Sequence, residues 1–404
     1  MLNRRVLLQN GALSLFGLGI TPSWLTRAVG APSATGGKKI LVVVFQRGAA
    51  DGLNMVVPYG EKAYYQSRPN LALAQPGKEK GVLDLDGFFG LHPALAPLSP
   101  IFADKKLAFV HASGSPAYTR SHFDAQDYME SGTPGVKSTR DGWLNRALPE
   151  DAKASPVQAV GLGPVLPRAL AGSRSAVALN SVREFQLRDH MAAKEYERRY
   201  GKSVDAALQE ASKETFAAIE ILESVRRAGY QPANGVQYPK GKLGRSMEQI
   251  AQLIKGNVGL EVAFADMGGW DHHVNQELLL DRQLKEFGAA LAAFYQDLGP
   301  RMEQVVLVTM SEFGRTVREN GTRGTDHGHA NVMMLMGANV SGGKVHGRWP
   351  GLERDQLHEG RDLAVTTDFR EVLGAVLQAH SGQTDLARVF PGYSYQGAMR
   401  RLLV

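Results

Sequence analysis

The feature that most restricts the fold is an unbroken apolar run, ILVVVF, at residues 40–45. A strand with one face in water alternates apolar and polar residues, so this run predicts a strand buried on both faces of a parallel sheet. Five later segments predict further strands of the same kind. They span residues 107–111, 157–162, 258–265, 305–310 and 332–336.

Helical periodicity separates several of these predicted strands, with apolar residues three or four positions apart. The clearest patterns span residues 208–225, 276–298 and 368–378. Strands that alternate with helices predict an α/β fold with a mainly parallel central sheet flanked by helices. We expect residues 39–404 to form a single α/β domain, with a charged, peripheral helical segment at about 181–230.

The first 31 residues resemble a twin-arginine signal peptide, followed by a linker at 32–38. Arg4 and Arg5 precede a mildly apolar run at 11–20, and small residues follow at 28–31. The run is shorter than the ~20 residues that a membrane span needs, and no later stretch is long enough. This pattern predicts export of the folded chain to the periplasm by the twin-arginine machinery. The alternative is a plain secretory leader with two chance arginines.

Charge and cysteine content exclude several kinds of function. Three of the 46 basic residues (Arg4, Arg5 and Arg27) lie in the leader, which leaves 43 against 40 acidic residues. A balance near +3 favours no nucleic-acid partner. The chain has no cysteine, which excludes disulfides, thiolate metal sites, a cysteine nucleophile and the usual precursor of formylglycine.

Polar residues that can bind metals or take part in catalysis gather next to the predicted strand ends, where open α/β sheets bind ligands. Asp271 and His273 lie two apart after a strand, and an extended backbone would point both toward one ion. Carboxylates mixed with imidazoles suit Zn²⁺, Mn²⁺, Mg²⁺ or Ca²⁺, and the sequence does not choose among them. The other residues next to strand ends are Arg47, Asp51, Arg120, Ser121, His122, Glu312, Arg315, Asp326, His327 and His329.

Two residue types in these loops suit an anionic ester. Arginines 47, 120 and 315 match a phosphate or sulfate oxyanion, although surface ion pairing explains each of them equally well. Ser121 is placed where a helix begins, so its hydroxyl would meet the positive end of that helix. Ser121 or Thr119 as a simple helix cap is the alternative.

Five motifs together resemble the bacterial domain-of-unknown-function 1501 family, a distant relative of the alkaline phosphatase and sulfatase superfamily. The resemblance implies an α/β sheet, one or two divalent metals, a nucleophile at a helix start and hydrolysis of phosphate or sulfate esters. The motifs are RGAADGLN at 47–54, RSHFDAQ at 120–126, GGWDHH at 268–273, SEFGRT at 311–316 and TDHG at 325–328.

The resemblance also implies individual roles. Asp51 looks like the superfamily's first metal aspartate, Ser121 like its nucleophile and His327 like its late metal histidine. Asp271 and His273 resemble its Asp and His pair. Where the relatives have an Asp-His pair, this chain has Glu312 followed by phenylalanine, so a second metal site would lose its imidazole unless Asp326 or His329 compensates.

These observations predict a metal-dependent hydrolase of a small-molecule or glycan ester. Ser121 would attack, Arg120 or Arg315 would stabilise charge, and His122 or His329 would protonate the leaving oxygen. Thr119 or a metal-activated water is the alternative nucleophile. A non-catalytic periplasmic binding protein for an anionic glycan or protein, or hydrolysis of another bond, are the other hypotheses. The predicted metal ligands are Asp51, Asp271, His273, Glu312, Asp326 and His327.

Overall fold

The structure, a computed structural model, describes residues 38–151, 154–182 and 206–404. The predicted signal peptide, almost all of the predicted linker and part of the predicted segment at 181–230 lie outside the described residues. Within the described part of the chain, no helix is both long and apolar enough to cross a membrane.

The strands form one nine-stranded sheet and one small three-stranded sheet. The large sheet has the order β11-β5-β10-β9-β1-β8-β6-β7, with β12 beside β5, and the small sheet has the order β2-β4-β3. The strands are β1 Ile40–Gln46, β2 Val56–Val57, β3 Leu83–Asp84, β4 Gly90–Leu91, β5 Leu107–Gly114, β6 Ala159–Leu162, β7 Val177–Leu179, β8 Val262–Met267, β9 Val305–Ser311, β10 Asn331–Gly337, β11 Lys344–His346 and β12 Thr367–Asp368.

The helices cover both faces of the large sheet, which confirms the predicted α/β class. Val42 and Val44 of β1 pack into the layer formed by α6, α7 and α8, while Leu41 and Val43 pack against α5, α9 and α10. The α-helices are α1 Gly52–Met55, α2 Lys62–Ser67, α3 Ser99–Ala103, α4 His122–Ser131, α5 Trp143–Ala147, α6 Ala206–Ala228, α7 Lys242–Lys255, α8 Gln276–Leu298, α9 Phe369–Ser381 and α10 Leu386–Val389.

The central strand β1 is buried along its whole length, as its sequence predicts. It lies between β8 and β9, and both pairs are parallel. Because parallel strands end at one edge, the chain leaves β1, β8 and β9 on the same side of the sheet.

Strand β10 runs against its neighbours, within a sheet that is otherwise mostly parallel. It pairs antiparallel with both β5 and β9, and Asn331 at its start lies opposite Ser113 near the end of β5. The segment that precedes β10 therefore lies at the same edge as the loops that follow β1, β5, β8 and β9. The parallel strands place four of the five motifs at this edge, and the reversal of β10 adds the fifth.

Three buried histidines make the stability of the fold dependent on pH. Burial lowers the pKa of His92, His111 and His380 to about 4. Neutral rings suit the hydrogen bonds: Nδ1 of His92 and Nδ1 of His111 each accept from a backbone N–H, and Nε2 of His380 donates to the Ile40 carbonyl.

We expect the free energy of unfolding to fall as the pH drops from about 6.5 toward 4. In that window the unfolded chain, whose histidines titrate near pH 6.5, binds more protons than the folded one, at a cost of up to about 3 kcal/mol per histidine. Urea unfolding at pH 7, 6 and 5, with chelator present to exclude metal effects, measures this change. The variant His111→Asn should show a shallower dependence, and equal free energies at pH 7 and 5 would contradict the prediction.

Candidate metal centre

Four side chains from three separate segments meet at this edge of the sheet. The ligand atoms of His122, Asp271 and His327 lie within 4.8 Å of one another. Nε2 of His327 lies 3.0 Å from Nε2 of His122 and 3.1 Å from Oδ1 of Asp271. Nε2 of His273 lies 3.0 Å from both Nε2 of His327 and Oδ1 of Asp271. We call these four residues the His/Asp cluster.

Each segment positions its ligand in a different way. His122 is the first residue of α4, which Ser121 caps by accepting a 3.4 Å hydrogen bond from the backbone N–H of Asp124. Asp271 and His273 lie in the loop after β8. His327 lies before β10, where its backbone pairs antiparallel with Arg315 in the loop after β9.

Two glycines allow these loops to approach one another. Gly48 has φ +116°, and a Cβ there would lie 2.8 Å from the backbone nitrogen of Asp271. A Cβ on Gly328 would lie 2.4 Å from the carbonyl carbon of Arg315. Larger residues at either position would push apart the loops that carry Asp271 and His327.

Asp271 and His273 do point toward one place, but the predicted extended backbone between them is wrong. The N–H of His273 donates to the carbonyl oxygen of Asp271 at 3.1 Å, so the chain bends at this point. The buried Trp270 fixes the start of the bend, because its Nε1 donates to the Met267 carbonyl at 2.9 Å. The two side chains meet across the bend rather than along a strand.

The second nitrogen of each ring fixes its tautomer. Nδ1 of His122 faces Oε1 of Glu312 at 2.8 Å, and Nδ1 of His327 faces the Arg120 carbonyl at 2.9 Å. Nδ1 of His273 faces Oδ1 of Asp326 at 3.1 Å. All three partners are acceptors, so each Nδ1 carries a proton, and each ring in its neutral form presents an Nε2 lone pair to the cluster.

Lone pairs that face one another repel unless a cation lies between them. A tetrahedral Zn²⁺ site with bonds of 2.0–2.1 Å has ligand atoms about 3.3 Å apart. The closest contacts in the His/Asp cluster range from 3.0 Å to the 3.5 Å between Nε2 of His122 and Oδ2 of Asp271. The donor set and its spacing therefore fit one transition-metal ion.

The charges around the cluster keep its carboxylate ionised. Burial opposes ionisation of Asp271, but Arg315 at 2.5 Å outweighs it and lowers the pKa of this carboxyl group. The hydrogen bond with Glu312 raises the pKa of His122. The side chain of Asp271 is 44% exposed, so the cluster opens to solvent on one side.

Two of the predicted metal ligands have their oxygens engaged elsewhere. Oε1 of Glu312 accepts from Gly48 N, Gln126 Nε2 and His122 Nδ1, and its Oε2 accepts from the Ser311 hydroxyl. Asp51 is buried away from the cluster, where both of its oxygens pair with Arg68. Asp326 contacts the cluster only through Nδ1 of His273.

The predicted catalytic residues take different positions. Arg315 is buried and donates to the backbone carbonyls of 48, 49, 270 and 325 as well as to Asp271, so it is committed to holding this edge together. The side chain of Arg120 is 45% exposed. His329 lies apart from the cluster: its Nε2 donates to the Ser115 carbonyl, and burial lowers its pKa to about 4. Thr119 accepts from the Ser121 N–H.

Three residues that hold the site are missing from the sequence predictions. Gln126 lies one helical turn after His122 and supports Glu312, and this i, i+4 spacing is a signal that could have found it. Arg361 donates to the backbone carbonyl of His327 at 3.2 Å, and Arg68 neutralises Asp51. No local pattern marks either arginine.

A family model described as "Protein of unknown function (DUF1501)" matches residues 106–392. The match begins after the motif at 47–54 and contains the other four motifs. No curated protein matches the chain.

Several solved structures are similar at low identity. One is a protein in the alkaline phosphatase superfamily from Vibrio parahaemolyticus, at 10% identity and a TM-score of 0.35, over 78% of this chain and 64% of that one. The chain thus spans less than two thirds of that protein. The lipoteichoic acid synthase LtaP from Listeria monocytogenes has 8% identity and a TM-score of 0.37, over 91% and 79% of the two chains.

A third similar structure is the C-terminal periplasmic domain of EcEptC from Escherichia coli in complex with Zn. It has 10% identity and a TM-score of 0.35, over 75% of this chain and 74% of that domain. Because these similarities are low, the α/β class is assigned from the order and direction of the strands, and the metal centre is assigned from the distances between its side chains.

Proposed function

The chain belongs to the DUF1501 family of proteins of unknown function, and we propose that it is a metal-dependent hydrolase of phosphate or sulfate esters. The observation that carries the proposal is the convergence of imidazole lone pairs and one carboxylate oxygen on a single solvent-facing point. When the rings are neutral, no proton lies between their facing Nε2 lone pairs to relieve the repulsion. A cation is the simplest partner for such a point.

The donor set favours one Zn²⁺ or similar transition-metal ion over Mg²⁺ or Ca²⁺, which prefer oxygen ligands. His122, Asp271 and His327 would hold the ion, and Nε2 of His273 lies 3.0 Å from the ligand atoms of two of them. A second ion is not part of the proposal, because Asp51 and Glu312 already have partners for their oxygens. When bound, the ion would polarise an ester oxyanion and lower the pKa of an attacking hydroxyl or water.

Residues around the ligands hold them in place. Glu312, Asp326 and the Arg120 carbonyl orient the three imidazoles, and Arg315 orients Asp271. Such outer partners fix ring orientation and raise the basicity of the ligand nitrogen. Arg315 is therefore proposed as a positioning residue rather than as the group that stabilises charge on the substrate.

The N-terminus of α4 and Arg120 would bind the oxyanion. The first N–H groups of a helix have no intrahelical acceptor, and the helix dipole adds partial positive charge there. His122 places this end of α4 directly beside the candidate ion. Arg120 precedes it with a half-exposed guanidinium, which now lies 3.6 Å from Glu359 and 3.8 Å from Asp362 and would have to turn toward the substrate. Ser121, between Arg120 and His122, is the candidate nucleophile.

The proposed location is the periplasm, after export by the twin-arginine machinery. The support is the sequence pattern of residues 1–31, with paired arginines before a short apolar run. The absence of cysteine agrees with folding before export, since no disulfide has to form outside the cytoplasm.

Turnover of aryl phosphates and sulfates by the zinc-loaded protein tests the proposed function. We expect hydrolysis that stops with chelator and returns with metal. If Ser121 attacks, Ser121→Ala should lower kcat by at least about 100-fold with its bound metal retained. Thr119→Ala is the matched control and should keep its activity. Metal-loaded protein that hydrolyses none of these esters would contradict the proposal and favour the binding-protein alternative.

A further inference from the structure

Two exposed apolar side chains directly follow histidines of the His/Asp cluster. Phe123 comes after His122 and is 90% exposed, and Val274 comes after His273 and is 50% exposed. Within the described part of the chain, Phe123 is the most exposed large hydrophobic residue. Exposed apolar residues are common singly, so the location of these two next to one cluster is what needs an explanation.

The position of Phe123 near the start of α4 places it beside the site. Consecutive Cα atoms are about 3.8 Å apart, so the backbone of Phe123 adjoins that of His122, and the two side chains leave the helix about 100° apart. Helical side chains lean toward the N-terminus of their helix, and the N-terminus of α4 is the end that meets the cluster. A ligand bound at the cation and the α4 N-terminus would therefore lie within reach of this ring.

Packing against the first turn of α8 explains the presence of an apolar residue at position 274 only in part. It lies just before the first turn of α8, and Leu279 lies in that turn at the spacing of a hydrophobic staple. Among the residues that the structure describes, no hydrophobic cluster includes Phe123, which occupies the second position of α4. Phe123 therefore carries the inference, and Val274, next to His273, is the second exposed apolar side chain beside the cluster.

We infer that Phe123 and Val274 bind the apolar part of the substrate, so that the substrate is an amphiphilic ester with an anionic head and an aryl or alkyl group. This inference rests on the proposed function for the head group. The floor of the site offers a cation position and the helix N-terminus, which are complementary to an anion. The rim beside it offers the Phe123 ring and the Val274 side chain, which are complementary to a hydrocarbon.

Binding of n-alkylphosphonates, from methyl to octyl, to the zinc-loaded protein tests the inference without any hydrolysis. Full burial of a methylene is worth about a fourfold gain in affinity, so a half-buried chain should gain about twofold for each added methylene. We expect this dependence on chain length in the natural protein and in Phe123→Leu. We expect Phe123→Ala to lose most of it while it still binds methylphosphonate and zinc.

Val404→Ala is the matched control, because Val404 is 89% exposed and its N–H bonds to Asn339 beyond the opposite end of β10. This variant should keep the natural dependence on chain length. Affinity that does not change with chain length, or an unchanged dependence in Phe123→Ala, would overturn the inference. Chain-length-dependent binding without hydrolysis of any ester would support the inference while the proposed function fails.

Discussion

Replacing His327 with alanine is expected to weaken the affinity for zinc by more than about 100-fold relative to the natural protein. The variant should therefore no longer bind one zinc ion per chain under conditions in which the natural protein does. Nε2 of His327 contacts the ligand atoms of His122, His273 and Asp271, so its loss opens the centre of the cluster. Zinc titration against a competing chelator at constant pH measures the affinity. Loss of the ion should also remove any metal-dependent hydrolysis.

His346→Ala is the control for this experiment, because His346 is a half-buried histidine on the edge strand β11 and should not affect zinc binding. Glu312→Gln gives an intermediate case. The amide oxygen can still accept from His122, but the negative charge is lost, so we expect an affinity about tenfold weaker. Equal zinc affinity in His327→Ala and the natural protein would rule out the proposed ligand set.

Replacing Arg68 with methionine is expected to lower the free energy of unfolding by about 3–5 kcal/mol, because it leaves a buried carboxylate without its partner. Both side chains of the ion pair are almost fully buried, with Arg68 at 0% and Asp51 at 1% exposure. The Arg68 guanidinium also donates to the carbonyls of Thr316 and Val317, which lie in the loop after β9. Urea unfolding of both proteins measures the difference.

Two further variants show whether the ion pair is the cause. The double variant Arg68→Met with Asp51→Asn should recover part of the lost stability, because no unpaired charge remains buried. Arg388→Met removes an exposed ion pair with Glu150 and should cost less than about 1 kcal/mol. A loss below about 1 kcal/mol in Arg68→Met would contradict the structural role of the pair.

The same residues separate a structural role for Asp51 from a metal role. Asp51 also accepts from Gln276, so its oxygens have three donors without any ion. We therefore expect Asp51→Asn to bind zinc with the affinity of the natural protein, although it folds less stably. A large loss of zinc affinity in this variant would return Asp51 to the ligand set that the family resemblance implies.

The sequence predicts most of the sheet because a strand that is buried on both faces has a continuous run of apolar residues. The run at residues 40–45 and the five later runs each coincide with an observed strand within a few residues, since a strand covered on both faces must be apolar throughout. The reversed direction of β10 leaves no such pattern. The sequence pattern does not predict helix α7, although Leu243, Met247 and Ile250 follow helical spacing, because polar residues separate them.

The sequence predicts where the site lies in the fold but not which carboxylate groups face it. Strand ends mark the loops that carry His122, Asp271 and His327, because open sheets gather their loops at one edge. Which carboxylate faces the cluster depends on partners far away in sequence. Glu312 turns to His122, 190 residues away, and no local pattern shows such a pairing.

Anomalous diffraction from a crystal of the zinc-loaded protein, recorded at the zinc absorption edge, tests the metal centre most directly. The expected result is one strong peak at the His/Asp cluster, bonded to Nε2 of His122, Nε2 of His327 and a carboxylate oxygen of Asp271 at about 2.0–2.2 Å. The contradicting result is a zinc-loaded crystal with no peak at these residues, or with its peak on Asp51.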